Sequence, residues 1–150
     1  GIRAKEKDFK GEYYKELSEK LPQPEVIRQE ISRILINMCN NSFYAAQEKA
    51  KESKDPDFIP KVKISTHKVK KGIEIKISDN GTGIPQDIIG KIFQPFFTTK
   101  PTGLGTGLGL SLSYDTIKSY QGDISVESQT GENSSTTFTI FLPVKPKKTT

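Results

Sequence analysis

The sequence predicts an α+β fold, a two-layer sandwich in which a mixed, mainly antiparallel sheet of about five strands packs on about three helices. Three observations carry this expectation. Residues 25–53 place apolar side chains at helical spacing. Residues 61–79 alternate apolar and polar side chains with a period of two on both sides of a lysine–glycine turn, and residues 123–143 do so again. Helices therefore collect in one layer and antiparallel strands in the other.

Taken in order, residues 1–24 are rich in Lys and Glu, with Tyr13, Tyr14, Leu17 and Leu21 as their apolar content. They read as an edge strand or an irregular lead-in, a linker from a missing upstream region. Pro24 suits the first turn of a helix, and Ile27, Ile31, Ile34, Leu35, Met38, Ser42 and Ala45 mark one face of that helix. Cys39 lies at the margin of this face, which makes it a core residue and not a reactive thiol. Asp55-Pro-Asp-Phe-Ile-Pro60 ends the helix. Val62, Ile64 and Thr66 then alternate with Lys61, Lys63, Ser65 and His67 as in a half-buried strand. Lys70-Lys-Gly72 turns the chain into a second strand with Ile73, Ile75 and Ile77 on one face.

Pro85 to Gly90 reads as a short helix, and 93–106 as a long loop rich in glycine and threonine, a lid or a binding element. A helix over 106–120 follows, with Leu108, Leu112 and Ile117 among its apolar positions and Gly122 as its stop. Ile124 and Val126, then Phe138, Ile140 and Leu142, mark the closing strands around the turn Gly131-Glu-Asn-Ser134. The domain spans 25–143, and 144–150 is expected as a disordered tail.

At 150 residues, with 33% hydrophobic content and 8 Phe, the chain supports one core. The absence of an initiator Met predicts a piece of a longer protein. No run approaches the ~20 apolar residues of a membrane span, so no membrane contact is expected within this segment. A single cysteine excludes an internal disulfide and fits a reducing cytosol, which predicts a cytoplasmic location. The net charge of +5 invites a nucleic-acid partner. The lysines, however, gather in 61–71 and in Lys145-Pro-Lys-Lys148 with no interleaved aromatic platform, so none is expected.

The chemistry concentrates in four places. Asn37 and Asn41 are one helical turn apart and project side by side, away from the core stripe, with Arg33, Tyr44 and Glu48 on roughly the same face. Alternation from Ile73, Ile75 and Ile77 carries Asp79 onto the inward face at its strand's end, where a carboxylate needs a donor. Gly81 and Gly83 follow, with Ile84 beside them, and allow close backbone approach. The run Gly103-Leu-Gly-Thr-Gly-Leu-Gly-Leu110 leads into a helix N-terminus, where free N–H groups attract phosphate. It is neither a P-loop nor a dinucleotide fingerprint, since no Gly-Lys-Ser/Thr occurs and no βαβ crossover surrounds it. Amide oxygens for a metal, a carboxylate for a base and flexible backbone for phosphates are together what a Mg-nucleotide requires.

In order and spacing these motifs resemble the ATP-binding catalytic domain of sensor histidine kinases, in the superfamily that also holds gyrase B, MutL and a class of heat-shock chaperones. The resemblance covers about residues 25–143, and Phe93-Gln-Pro-Phe-Phe-Thr-Thr-Lys100 looks like the family's phenylalanine box. It implies the Bergerat nucleotide-binding fold and ATP and Mg²⁺ as cofactors. Asn41 is the implied metal ligand, Asn37 orients water or phosphate, and Asp79 accepts from the adenine amino group. Tyr44, Gly81, Gly83, Ile84, Phe93, Gly103, Gly105, Thr106, Gly107, Leu108 and Gly109 complete the implied nucleotide site, with a core-anchor role for Phe93 equally open, and Lys100 is placed to reach a terminal phosphate. Hydrolysing members carry a glutamate where this chain has Asn37, which favours a kinase. Tyr44 stands where a phosphate-binding Lys is frequent, which puts more of the neutralisation on Lys100. The implied partners are an upstream helical domain that dimerises and bears the phosphoacceptor histidine, and a downstream response regulator. A serine-directed kinase of the anti-sigma-factor type and a non-catalytic nucleotide switch share these boxes and stay open.

Overall fold

The computed structural model describes residues 11–18, 20–98 and 109–145. Five strands, β1 (Glu12–Glu16), β2 (Lys61–Val69), β3 (Gly72–Asp79), β4 (Asp123–Gln129) and β5 (Ser135–Pro143), form one sheet in the order β1-β2-β3-β5-β4. Only β1 and β2 run parallel, and the other three pairings are antiparallel. Two α-helices, α1 (Arg28–Glu52) and α2 (Gly109–Ser119), contact each other and lie on the sheet, α1 over β2 and β3 and α2 over β4 and β5. The mixed five-stranded α+β sandwich is thus as expected. The third helix is shorter than a regular α-helix: after Pro85 the chain makes turns and a 3₁₀ segment at Ile89–Lys91, because a stretch of a few residues cannot offset the cost of helix nucleation.

The core forms where the two periodicities meet. Ile34, Met38, Ser42 and Ala46 come from α1 at every fourth position. They pack on Val62, Ile75, Ile77, Phe138 and Ile140 of the sheet, all buried. Each fully buried aliphatic chain contributes about 1.5–3 kcal/mol. Two expected members of the α1 stripe lie elsewhere. Ala46, not Ala45, faces the core, and Ile27 is 57% exposed as the residue that precedes the helix. Leu112 is also exposed, because α2 turns Ser111, Ser113 and Ile117 inward instead.

Both helix ends use tertiary devices. Pro24 falls short of α1, whose cap residue Ile27 offers no side-chain hydrogen bond. The Tyr120 hydroxyl supplies it, accepting from the Ile27 amide at 3.0 Å while donating to the Glu30 carboxylate. At the end of α2, Gln121 takes the left-handed conformation with φ 61, and Gly122 N–H bonds Ile117 O at 3.0 Å. Gly122 is needed for a separate reason, since a Cβ there would lie 2.3 Å from Phe141 O.

The lead-in contains a strand: β1 pairs with β2, and Tyr13 meets Phe43 edge-on with ring centroids 5.5 Å apart. At the other end, Val144 N–H bonds Lys71 O at 2.9 Å, so residue 144 still belongs to the sheet layer; 146–150 lie outside the described residues. Burial pushes the Cys39 thiol up, which keeps it from acting as a thiolate. No helix among the described residues is long and apolar enough to cross a membrane.

Candidate functional site

A cavity of about 710 Å³ opens between α1, the turn after β3 and the first described turn of α2. The floor includes Asp79 and Thr136, the middle of a cross-strand row. Register pairs Val62 with Asp79, Asp79 with Thr136 and Thr136 with Ser128, so four strands bring these residues to one end of the sheet. Asp79 is only 6% exposed, and one of its carboxylate oxygens accepts the Gly81 N–H at 2.8 Å. Burial pushes its carboxyl up from 3.8 to about 6, opposed by the Gly81 amide and by the Ser42 hydroxyl. Ser42 Oγ faces the carboxyl without closing a hydrogen bond of full geometry.

Helix α1 forms the side wall, with Asn37, Asn41, Tyr44 and Ala45 lining the cavity one turn after another. The Asn37 carboxamide packs against the start of α2, where a Cβ on Gly109 would lie 2.6 Å from both its amide atoms. Its Nδ2 is buried and unpartnered among the described residues. The remaining wall is apolar, with Ile84, Ile88, Ile92, Phe97 and Leu110. Such a lining, with a few converging polar groups, is how small-molecule sites are built.

The two glycines after Asp79 answer to the protein's own packing. A Cβ on Gly81 would lie 2.4 Å from the Ala45 carbonyl carbon, and one on Gly83 would lie 2.1 Å from Gln129 O. Gly83 also has φ +78, which only glycine adopts without strain. They let α1 and the end of β4 close onto this turn, which fixes the cavity's mouth. Behind it, Ser134 Oγ bonds Gly81 O, and Ser128 Oγ accepts Ile84 N–H at 2.7 Å.

Of the residues singled out from sequence, Asn37, Asn41, Tyr44, Asp79, Gly83, Ile84 and Gly109 line the cavity together. Gly81 supports it from behind. Phe93 does not line it: its ring packs on Tyr114 at 5.4 Å and on Phe138 at 6.4 Å, an anchor for the segment that carries Phe97. Phe96, from the same box, is 73% exposed. Lys100, Gly103, Gly105, Thr106, Gly107 and Leu108 lie outside the described residues, as does most of the expected lid. The sequence reading missed Thr136, 3% exposed and in the cavity. The signal that could have found it is the pairing of its strand with β3, which puts it opposite Asp79.

Comparison with known proteins agrees with this architecture. The family model described as histidine kinase-, DNA gyrase B- and HSP90-like ATPase matches residues 27–146. The chain is 36% identical over 137 residues to the signal transduction histidine-protein kinase AtoS of Escherichia coli (strain K12), covering 91% of this chain and 20% of that protein. It is 54% identical over 71 residues to the sensor kinase CckA of Brucella abortus (strain 2308), covering 47% of this chain and 7% of that one. It therefore spans a small part of the relatives it matches. Among solved structures, the catalytic domain of histidine kinase ThkA superimposes with a TM-score of 0.69 at 30% identity, over 87% of this chain and 77% of that one. With its fold, its buried aspartate and its asparagine-lined helix in place, the chain belongs to the histidine kinase-, DNA gyrase B- and HSP90-like ATPase family.

Proposed function

We propose that this chain is the ATP-binding catalytic domain of a two-component sensor histidine kinase, which presents Mg-ATP to a histidine on a separate helical domain. The observation that carries it is Asp79, a carboxylate buried at the floor of a cavity whose wall holds Asn37 and Asn41. An adenine nucleotide fits these residues. The volume of about 710 Å³ lies in the range of small-molecule sites, roughly 300–1,000 Å³. The buried acceptor matches an exocyclic amine, and the Asn37 Nδ2, unpartnered among the described residues and beside the first described turn of α2, matches a phosphate oxygen.

In this reading ATP supplies the phosphoryl group, and the chain supplies position and charge. Asp79 holds the base by accepting from its amino group. Asn41 offers an amide oxygen to Mg²⁺, a hard-ligand ion that keeps several waters. Asn37 donates to phosphate, and because it is an amide it cannot act as a general base toward water, which favours transfer over hydrolysis. Lys100 and the glycine run 103–109 complete the phosphate end on sequence grounds. The phosphoacceptor histidine lies on the partner domain, and a response regulator receives the phosphoryl group afterwards. A cytoplasmic setting, where ATP is available, follows from this reading.

The test is phosphoryl transfer from radiolabelled ATP to a separately supplied helical hairpin bearing a histidine. An acid-labile, base-stable product supports the proposal. An acid-stable phosphoserine would move the chain to the serine-directed kinases, and nucleotide binding with no transfer would make it a switch.

A further inference from the structure

Ser128 does not line the cavity, yet its hydroxyl makes three polar contacts behind it. Its Oγ accepts the Ile84 N–H at 2.7 Å, donates to Ser135 O at 2.8 Å, and lies 2.7 Å from Thr136 Oγ1. A serine hydroxyl has one proton. With that proton committed to the Ser135 carbonyl, the hydrogen bond between the two hydroxyls runs the other way, from Thr136 to Ser128. The Thr136 proton thus points out of the cavity, and its lone pairs point in.

The consequence lies beside it. Thr136 pairs with Asp79 across β3 and β5, and both line the cavity. The floor therefore offers two acceptors side by side, a carboxylate and a hydroxyl oxygen. A 6-amino purine brings two N–H donors to such a floor, whereas a 6-oxo purine in the same pose turns its O6 lone pairs toward both acceptors and is repelled. We propose that Ser128 is a positioning residue for purine selectivity: it holds Thr136 as an acceptor, and so doubles the discrimination that Asp79 makes alone. This rests on the nucleotide reading of the cavity.

Without its hydroxyl at 128, Thr136 is free to rotate and donate inward, a polarity that a 6-oxo group welcomes. The effect is on choice of base, not on overall affinity. A purely structural role, bracing the Ile84 turn, would weaken every nucleotide alike.

Calorimetric affinities for ATP and GTP, measured on the wild-type protein, Ser128→Ala, Thr136→Val and the double variant, separate these cases. The preference for ATP should narrow about tenfold in each single variant, the size of one hydrogen bond, and no further in the double. Ser128→Thr, which keeps the hydroxyl, should restore the wild-type ratio. If Ser128→Ala does not fold, Ser128→Cys carries the same comparison, since a thiol is a weak partner for Thr136. An unchanged ratio in Ser128→Ala, an equal loss of both affinities, or additive effects in the double variant would each overturn the assignment. A wild-type protein that binds neither nucleotide would instead overturn the reading of the cavity.

Discussion

Asp79→Asn should make the protein more stable and less able to bind ATP, with the two effects arising from the same burial. The native carboxyl titrates at about 6 and the unfolded one near 3.8, so the folded state holds its proton more tightly than the unfolded chain does. Below both values the group is neutral in either state, and ionisation costs nothing. As pH rises between them the native state binds more protons, and stability falls. Above about 6 the full penalty is present. Roughly two pKa units at 1.36 kcal/mol each come to about 3 kcal/mol. Asparagine never ionises, so the stability of the variant relative to wild type should climb by about this amount between pH 4 and pH 7. The Gly81 N–H keeps an amide acceptor in the variant, which preserves the turn. Urea unfolding of both proteins at several pH values reads the difference directly. In parallel, ATP affinity at neutral pH should fall by about 1.5–3 kcal/mol, because a charged acceptor is replaced by an amide that can turn a donor toward the amino group. Wild-type affinity should also weaken as pH drops through about 6, since the bound amine favours the carboxylate. Parallel stability curves for the two proteins would refute the buried charge. An ATP-over-GTP preference that survives in the variant would place base recognition elsewhere.

Other perturbations test the frame around the cavity. Gly81→Ala drives a methyl to within 2.6 Å of the Ala45 Cβ and the Ala45 carbonyl oxygen, where backbone cannot yield; overpacking of this kind costs about 1–3 kcal/mol, visible as a lower melting temperature. Tyr120→Phe removes the partner of the Ile27 amide and of Glu30, and should lower stability by about 1 kcal/mol in chemical denaturation. Nucleotide binding should depend on Mg²⁺, so EDTA is expected to weaken ATP affinity in the wild-type protein and to matter little in Asn41→Ala; equal wild-type affinity with and without EDTA would remove Asn41 from its metal role.

Local periodicity was enough to place most of this molecule. A spacing of three to four residues marks α1, and alternation marks β2, β3 and β5, because each pattern records which side of one element is apolar. Alternation likewise turns Asp79 inward, and the one-turn spacing puts Asn37 and Asn41 on a common wall. What periodicity leaves open is where neighbouring elements touch. Ala45 and Ala46 are equally apolar and about 100° apart around the helix, and only docking on the sheet decides that Ala46 enters the core while Ala45 meets Gly81 and the cavity. Gly122 reads as the stop of α2, yet Gln121 takes the left-handed conformation and the glycine serves Phe141. Thr136 and Ser128 carry no local mark at all. They join Asp79 only through the register that sets the β4–β5 hairpin beside β3, a strand distant from it in the chain, so the meeting of all three is a property of the folded sheet.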